Sequence, residues 1–198
     1  MILFNHIPRT GGTTLRVILN KVYGEESVFF INSRDIQGSV KHYKSLNDKE
    51  RSKYKVISGH GAEALSDETE NIFRVTILRD PLSLFISQYH YLKKSQNSNF
   101  LEEVKALEGF EDYLDYAVAR GQDNMMTRFL TNEPLRHIPH SGPPPSMDEE
   151  GKHMLKEAKD NLNKYDHVIN LSDFDRGIYD LATLLEWNSI PLYRPRNR

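Results

Sequence analysis

The chain has 198 residues, a formal net charge of −2 and a hydrophobic fraction of 38%. This length and composition favour a single folded domain over residues 1–198. They exclude an intrinsically disordered chain, which would be too polar to bury a hydrophobic core. The near-neutral charge gives no sign of nucleic-acid binding, and the absence of cysteine excludes disulfides, thiolate zinc sites and a cysteine nucleophile.

The first part of the chain alternates apolar runs with segments of helical spacing. Four short apolar runs are predicted to be strands: 2–7, 27–32, 54–60 and 72–80. A helix is predicted over 13–23, because its apolar residues recur every three to four positions and Gly24 follows. The polar stretch 35–53 is predicted to be a helix and a loop on the surface.

The second part of the chain contains more helix. The segment 81–94 is predicted to be a helix, with Asp80 as its N-cap and Pro81 in its first turn. Two further helices are expected within 100–131, and the proline-rich segment 136–146 is expected to be a loop. The remaining predictions are a helix at 147–165, a strand at 166–171 and a helix at 175–187.

This alternation predicts a three-layer α/β sandwich with a mostly parallel central sheet flanked by helices. Ligands of such sheets bind beyond the carboxyl ends of the strands. The first, third and fourth strands end in "PRTGGTT", "SGHG" and "LRDP". The chemically interesting residues are therefore expected to meet at one rim of the sheet.

The turn after the first strand has the features of an anion-binding loop. Gly11 and Gly12 allow close backbone approach, and the N-terminus of the following helix directs free N–H groups to the same place. Thr13 and Thr14 add hydroxyl donors, and Arg9 adds a charge. The loop is not a Walker A motif, since Thr13 stands where the lysine belongs. The alternative is a tight strand–helix turn with Arg9 facing solvent.

The stretch "HIPRTGGTTL" resembles the 5′-phosphosulfate loop of sulfotransferases that use 3′-phosphoadenosine 5′-phosphosulfate (PAPS), especially the carbohydrate group that includes heparan sulfate 2-O- and 6-O-sulfotransferases. The resemblance implies a P-loop-type fold. Arg9 replaces the lysine that, in the family, contacts the sulfuryl group and the bridging oxygen, so the resemblance implies a catalytic role for Arg9. It also implies the residues that hold the phosphosulfate: Arg9, Thr10, Gly11, Gly12, Thr13 and Thr14.

The stretch "LRDPLSLFISQYHY" supports the same resemblance. In the family, an arginine before Asp-Pro and a serine eight residues later hold the 3′-phosphate, which implies this role for Arg79 and Ser87. An arginine at the end of a strand can bind phosphate through bidentate hydrogen bonds. Two alternatives are a strand-end ion pair with a helix cap, and a Walker B strand with Asp80 on magnesium.

His60 lies between Gly59 and Gly61 at the end of a predicted strand, and it is the candidate base. The ordinary pKa of histidine, near ~6.5, suits proton removal at neutral pH. The alternative is a histidine that only occupies a turn. Glu63, three residues later, is a possible second acid or base, and a solvated position at a helix start is the competing interpretation. The segment "DNMMTRFLT" resembles a family segment near the cofactor, which implies that Arg128 contacts it; a surface amphipathic helix is the alternative.

These features predict a sulfotransferase that moves the sulfuryl group of PAPS to a hydroxyl on a carbohydrate or small molecule and releases adenosine 3′,5′-bisphosphate (PAP). No metal is expected. The alternatives are a P-loop kinase or nucleotide hydrolase and a non-catalytic binder of PAP or sulfated glycans. The chain shows neither a secretory signal nor the ~20 apolar residues of a membrane span, so a cytoplasmic protein is expected.

Overall fold

The structure is a computed structural model, and it describes residues 1–68, 71–94, 101–119, 123–131 and 149–194. Its centre is a five-stranded sheet with the strand order β2-β3-β1-β4-β5, and every described strand pairing is parallel. The strands are β1 (Ile2–Asn5), β2 (Val28–Ile31), β3 (Val56–Gly59), β4 (Phe73–Leu78) and β5 (His167–Asn170). The predicted α/β fold with a mostly parallel central sheet is confirmed.

Helical segments connect the strands, because neighbouring parallel strands cannot be joined by a tight hairpin. The described α-helices are α1 (Gly12–Tyr23), α2 (Ile36–Ser45), α3 (Asp48–Arg51), α4 (Pro81–Lys94), α5 (Leu101–Ala106), α6 (Phe110–Ala119), α7 (Met125–Leu130), α8 (Glu149–Leu162) and α9 (Phe174–Leu184). Short 3-10 segments occur at Glu25–Ser27, Ala62–Glu68 and Leu171–Asp173.

Both faces of the sheet are covered, which explains why β1 and β3 are buried along their whole length rather than on alternate residues. On one face, Phe4 of β1 packs with Leu15 and Ile18 of α1 and with Ile178 of α9. On the other face, Leu3 of β1 belongs to the cluster formed with α2 and the 3-10 segment after β3. Helices α7 and α8 cover a neighbouring part of this second face.

Helix α4 begins as its sequence predicts. The Asp80 carboxylate accepts a hydrogen bond from the Ser83 backbone N–H at 2.8 Å, and this bond is the main reason why the pKa of Asp80 lies below its usual value. The side chain thus satisfies one of the free N–H groups of the helix start. This capping role fits the Asp-Pro dipeptide and leaves the magnesium-binding alternative for Asp80 without support.

The structure differs from the sequence predictions in three places. The stretch 100–131 contains three described helices rather than two, and 35–53 contains two helices rather than one. The 3-10 segment Ala62–Glu68 was not predicted. Each of these elements is short, and short helices carry too few apolar repeats for their boundaries to be read from spacing. The predicted proline-rich loop at 136–146 lies outside the described residues.

Within the described ranges, none of the helices combines the length and the apolar character that crossing a bilayer requires.

Candidate active site

The loop between β1 and α1 is tied to the neighbouring strand and then turns sharply. The His6 backbone N–H donates to the Gly59 carbonyl at 3.1 Å, which extends the pairing of β1 with β3 by one bond. Arg9 and Gly11 both have positive φ, 62° and 88°. A Cβ on Gly11 would lie 2.7 Å from Cδ1 of Leu171, so backbone conformation and close packing both favour glycine there. The loop thereby approaches the β5–α9 turn.

Gly12 has a different role, because it makes room for an imidazole. A Cβ on Gly12 would lie 2.0 Å from Cδ2 of His6. The His6 ring therefore packs directly against the first residue of α1, and it also stacks on Phe4 with ring centroids 5.5 Å apart.

The two predicted anion sites lie side by side. The Arg79 guanidinium donates through Nη1 to the Arg9 carbonyl at 2.8 Å, so the end of β4 touches the diglycine turn. Arg9 in turn reaches the second site: its Nη2 and Nε donate to Ser87 Oγ at 3.0 and 3.2 Å. The Arg9 guanidinium also lies 4.6 Å from the centre of the Tyr91 ring. Arg9, Arg79 and Ser87 thus form one cluster.

Within the described residues, no carboxylate contacts the guanidinium groups of this cluster directly: neither Arg9 nor Arg79 forms an ion pair. Burial lowers the pKa of each guanidinium below its usual value. The proximity of Arg79 lowers the pKa of Arg9 further, whereas the charge of Asp80 opposes the shift at Arg79. Arginine remains protonated despite such shifts. Two partly buried cations without a carboxylate in direct contact favour the binding of an anion.

A cavity of about 850 Å³ opens onto this cluster, within the size range of small-molecule sites. The loop and the start of α1 contribute His6, Arg9, Gly11, Thr13 and Thr14 to its lining. The end of β4 and the exposed face of α4 contribute Arg79, Ile86, Ser87, His90, Tyr91 and Lys94. The β5–α9 turn, residues 171–175, closes the third side. The predicted rim location of the site matches this cavity.

Sequence reasoning assigned no role to several of these residues. Ser87, Tyr91 and Lys94 are spaced four and three residues apart, so they share one face of α4. That spacing, continued from Ser87, could have indicated Tyr91 and Lys94. The turn at residues 171–175 follows β5, and the general preference of ligands for the carboxyl ends of strands could have pointed to it.

Two residues of the predicted site are engaged elsewhere. Thr10 is completely buried, and its hydroxyl donates to the Ile7 carbonyl at 2.8 Å, so only its backbone is available to a ligand. Arg128 is buried and forms an ion pair with Asp123 at 2.8 Å. It is not among the residues that line the cavity. The nucleotide-binding role implied for Arg128 remains a prediction.

His60 lies beside His6. Its Nδ1 is 2.5 Å from the His6 carbonyl oxygen, which accepts only if Nδ1 carries the proton. This bond leaves Nε2 as the basic nitrogen. The two imidazole centroids are 4.6 Å apart, and Phe129 contacts the His60 ring edge-on at 5.7 Å. His6 lines the cavity described above, whereas His60 is half-buried and is not among the lining residues.

Both imidazoles are held in the neutral form. Burial, followed by the nearby His60 and Arg16, lowers the pKa of His6 to about 3. Burial also lowers the pKa of His60, and the hydrogen bond to His6 opposes this shift in part. A neutral imidazole at physiological pH can accept a proton.

The low pKa of His6 predicts a loss of stability in mild acid. The unfolded chain binds a proton on this residue below pH 6.5, whereas the folded protein resists it down to about pH 3, so stability falls as the pH falls through this window. Between pH 7 and pH 5 we expect His6 to account for a loss of about 2 kcal/mol. Urea unfolding of the wild type and of His6→Gln at both pH values measures it. Equal losses in the two proteins would contradict the assignment.

Glu63 is neither solvated nor free. It is buried, its Oε1 lies 3.4 Å from Nε of Arg74, and its Oε2 accepts from the Tyr165 hydroxyl at 2.9 Å. Tyr165 also accepts from Nδ2 of Asn5 at 2.8 Å. Burial, with Glu63 beside it, raises the pKa of Tyr165. Asn5 Nδ2 also donates to the Phe129 carbonyl at 2.8 Å. This bond joins the end of β1 to α7, so the network holds the two elements together.

No cluster of three or more histidine, aspartate or glutamate side chains that could hold a metal ion occurs in the part of the chain that the structure describes. Arg9, Arg79 and Lys94 bring positive charge to the cavity, and the N-terminus of α1 adds the partial positive charge of the helix dipole.

A diglycine loop between β1 and a helix lies next to a second cationic site at the end of β4 of this α/β fold, an arrangement suited to binding phosphate groups. A sequence profile of the Sulfotransferase family matches residues 1–191, and the chain belongs to that family. The solved structure of mouse sulfotransferase SULT7A1 complexed with PAP is similar in fold, with a TM-score of 0.54 and 12% sequence identity. The similarity covers 95% of this chain and 59% of that one. No curated protein sequence matches.

Proposed function

We propose that this protein is a sulfotransferase that transfers the sulfuryl group of PAPS to a hydroxyl group of an acceptor, with a carbohydrate as the acceptor class. Membership of the Sulfotransferase family supports the reaction type. The observation that carries the proposal is the contact between the two anion sites, the 2.8 Å bond from Arg79 to the Arg9 carbonyl. One bisphosphorylated nucleotide can then span both sites.

The nucleotide would bind in the cavity with its two anionic ends on separate groups. The 5′-phosphosulfate would lie on the N-terminus of α1, where Gly11, Thr13 and Thr14 line the cavity. The 3′-phosphate would lie on Arg79 and Ser87. Arg9 donates a hydrogen bond to Ser87 in the structure. Its charge therefore lies at the end of the cavity where the 3′-phosphate is predicted to bind. The catalytic role proposed for Arg9 therefore requires that its guanidinium leave Ser87 and turn toward the 5′-phosphosulfate when the nucleotide binds.

In the reaction, the acceptor oxygen forms a bond to sulfur while the bond from sulfur to the oxygen of the 5′-phosphate breaks. His60 is proposed to take the proton of the acceptor hydroxyl on Nε2, since Nδ1–H is already bonded to the His6 carbonyl. The positive loop would stabilise the charge that develops on the leaving phosphate. The products are a sulfate ester, PAP and a protonated His60.

Binding measurements test the nucleotide assignment. We expect PAP to bind at least roughly tenfold more tightly than AMP, because the 3′-phosphate adds charge-assisted hydrogen bonds of ~1.5–3 kcal/mol. Isothermal titration calorimetry with PAP, AMP and ATP–Mg²⁺ gives the comparison. Equal affinities for PAP and AMP would contradict the proposal. Preference for ATP–Mg²⁺ would instead favour a kinase or nucleotide hydrolase, and PAP binding without transfer to any acceptor would favour a binding protein.

A further inference from the structure

The hydroxyl of Tyr165 joins the two chain segments that carry His6 and His60. Tyr165 lies in the connection between α8 and β5. Its hydroxyl accepts a hydrogen bond from Asn5 Nδ2 at 2.8 Å and donates one to Glu63 Oε2 at 2.9 Å. Asn5 is the residue before His6, and Glu63 lies three residues after His60. One side chain from a distant part of the chain therefore bridges both segments.

The bridged segments meet at the contact that orients the proposed base. The bond between His60 Nδ1 and the His6 carbonyl keeps the proton on Nδ1 and leaves Nε2 free. His60 stands between Gly59 and Gly61, whose φ values are 149° and 73°, and glycine restrains the backbone weakly. The bond from the His6 N–H to the Gly59 carbonyl holds the chain before His60, and the Tyr165 bridge holds it afterwards.

The same network holds the aromatic residue that contacts the His60 ring. Phe129 lies edge-on to the imidazole, with ring centroids 5.7 Å apart. Its carbonyl accepts from Asn5 Nδ2, the amide group that also donates to the Tyr165 hydroxyl. A shift of the Asn5 side chain would therefore affect Phe129 as well as the segment that contains His6.

Tyr165 is held in place by the sheet. The next residue, Asp166, forms two hydrogen bonds with the backbone of Arg74 in β4: its N–H donates at 3.0 Å and its carboxylate accepts at 2.7 Å. The Arg74 guanidinium also lies 3.4 Å from Oε1, the other carboxylate oxygen of Glu63. Burial raises the pKa of the Tyr165 hydroxyl, which therefore stays protonated and remains a donor.

Tyr165, Asn5 and Glu63 are not among the described residues that line the cavity, so their effect on the reaction passes through the groups that they hold. We propose that Tyr165 is a positioning residue for the proposed base. Its hydroxyl keeps the two histidine segments together, so that Nδ1 of His60 stays on the His6 carbonyl and Nε2 is presented to the acceptor hydroxyl. The inference rests on the proposed function and extends it to the α8–β5 connection.

Tyr165→Phe tests this role, because it removes the hydroxyl and keeps the ring. We expect His60 to change from the Nδ1–H form to a mixture of both tautomers, since the contact that selects one form is loosened. Long-range ¹H–¹⁵N NMR of the histidine-labelled protein with PAP measures the tautomer. The single-turnover rate of transfer from PAPS to an oligosaccharide that the wild type sulfates should fall at least roughly tenfold. The Kd for PAP should stay within about twofold of the wild type.

Tyr23→Phe is the matched control for a lost tyrosine hydroxyl. Tyr23 is half-buried like Tyr165, and its hydroxyl accepts from Nε1 of Trp187 at 2.8 Å. It lies at the C-terminal end of α1, roughly 16 Å along the helix from Gly12. In urea unfolding, both variants should lose a similar amount of stability, whereas Tyr23→Phe should keep the Nδ1–H form of His60 and the wild-type transfer rate.

Two substitutions of Glu63 separate the hydrogen bond from the packing around it. Glu63→Gln keeps an oxygen that can accept from the Tyr165 hydroxyl, and Glu63→Ala does not. We expect Glu63→Gln to retain more of the Nδ1–H form of His60 than Glu63→Ala, which should resemble Tyr165→Phe. Equal tautomer populations in the two Glu63 variants would contradict the inference.

The inference and the proposed function fail on different results. A wild-type tautomer and transfer rate in Tyr165→Phe, or the same changes in Tyr23→Phe, would overturn the inference while the proposed function stands. Wild-type turnover in His60→Ala, or absence of PAP binding by the wild type, would overturn the proposed function whatever the result for Tyr165.

Discussion

Replacement of His60 by alanine is expected to lower turnover by roughly 10²–10⁴-fold, the usual contribution of a general base, and to leave the affinity for PAP within about twofold of the wild type. The affinity for PAP should change little because His60 is not among the residues that line the cavity. Turnover should fall because Nε2, the nitrogen left free by the bond at Nδ1, is the proposed proton acceptor. Single-turnover transfer from PAPS to an accepted substrate, together with calorimetry of PAP, measures both quantities.

The neighbouring histidine provides the comparison for this experiment. His6→Gln keeps the backbone carbonyl that orients His60 but removes an imidazole that lines the cavity. If His60 is the base, His6→Gln should retain far more activity than His60→Ala. The reverse order would identify His6 as the base.

The pH profile gives a second measurement of the base in the wild type. Because the pKa of His60 lies below its usual 6.5, the decline of kcat/KM in acid should be centred below pH 6.5. A decline centred above pH 6.5 would contradict the assignment.

Arg79→Ala is expected to raise the Kd for PAP by roughly 10- to 150-fold, corresponding to the loss of ~1.5–3 kcal/mol from hydrogen bonds to a charged group. The guanidinium contributes charge to the cavity and also holds the Arg9 carbonyl at 2.8 Å. The effect should therefore lie at the upper end of this range if the loop shifts when the tether is lost. Calorimetry with PAP measures the change.

AMP separates the two contributions of Arg79. AMP has no 3′-phosphate, so its Kd should change little if Arg79 acts only on that group, and should rise in parallel with that of PAP if the loop is disturbed. Arg176→Ala is the control for a lost surface arginine, since Arg176 is bonded to Asp180 on α9. An unchanged Kd for PAP in Arg79→Ala would refute the assignment of this residue.

Much of the fold could be predicted because its signals are local. Each strand is a short apolar run, those of β1, β3 and β4 are followed closely by glycine or proline, and the Asp80–Pro81 dipeptide marks the start of α4. The elements that were predicted incorrectly are held by tertiary contacts instead. Helix α6, for example, packs Tyr113 and Ala117 against Leu92 of α4, and no spacing within its own ten residues predicts that partner.

The position of the site could be predicted from the clustered glycine and charged residues. The hydrogen-bond partners of individual side chains could not be predicted in this way. The proximity of Arg79 to the diglycine turn follows from two strand ends that meet at one rim. Arg128 pairs with Asp123, and Arg9 points toward Ser87 and Tyr91. Both arrangements depend on side-chain rotamers and on the positions of the helices, which are fixed only when the elements have packed.

The strand order has a consequence for how such a protein can diversify. β1 separates the half of the sheet that carries the cavity from the edge formed by β3 and β2. Substitutions along that outer edge can therefore accumulate without changing the residues that line the cavity. Paralogues built on this layout could keep one cavity while their sequences diverge at one border of the sheet.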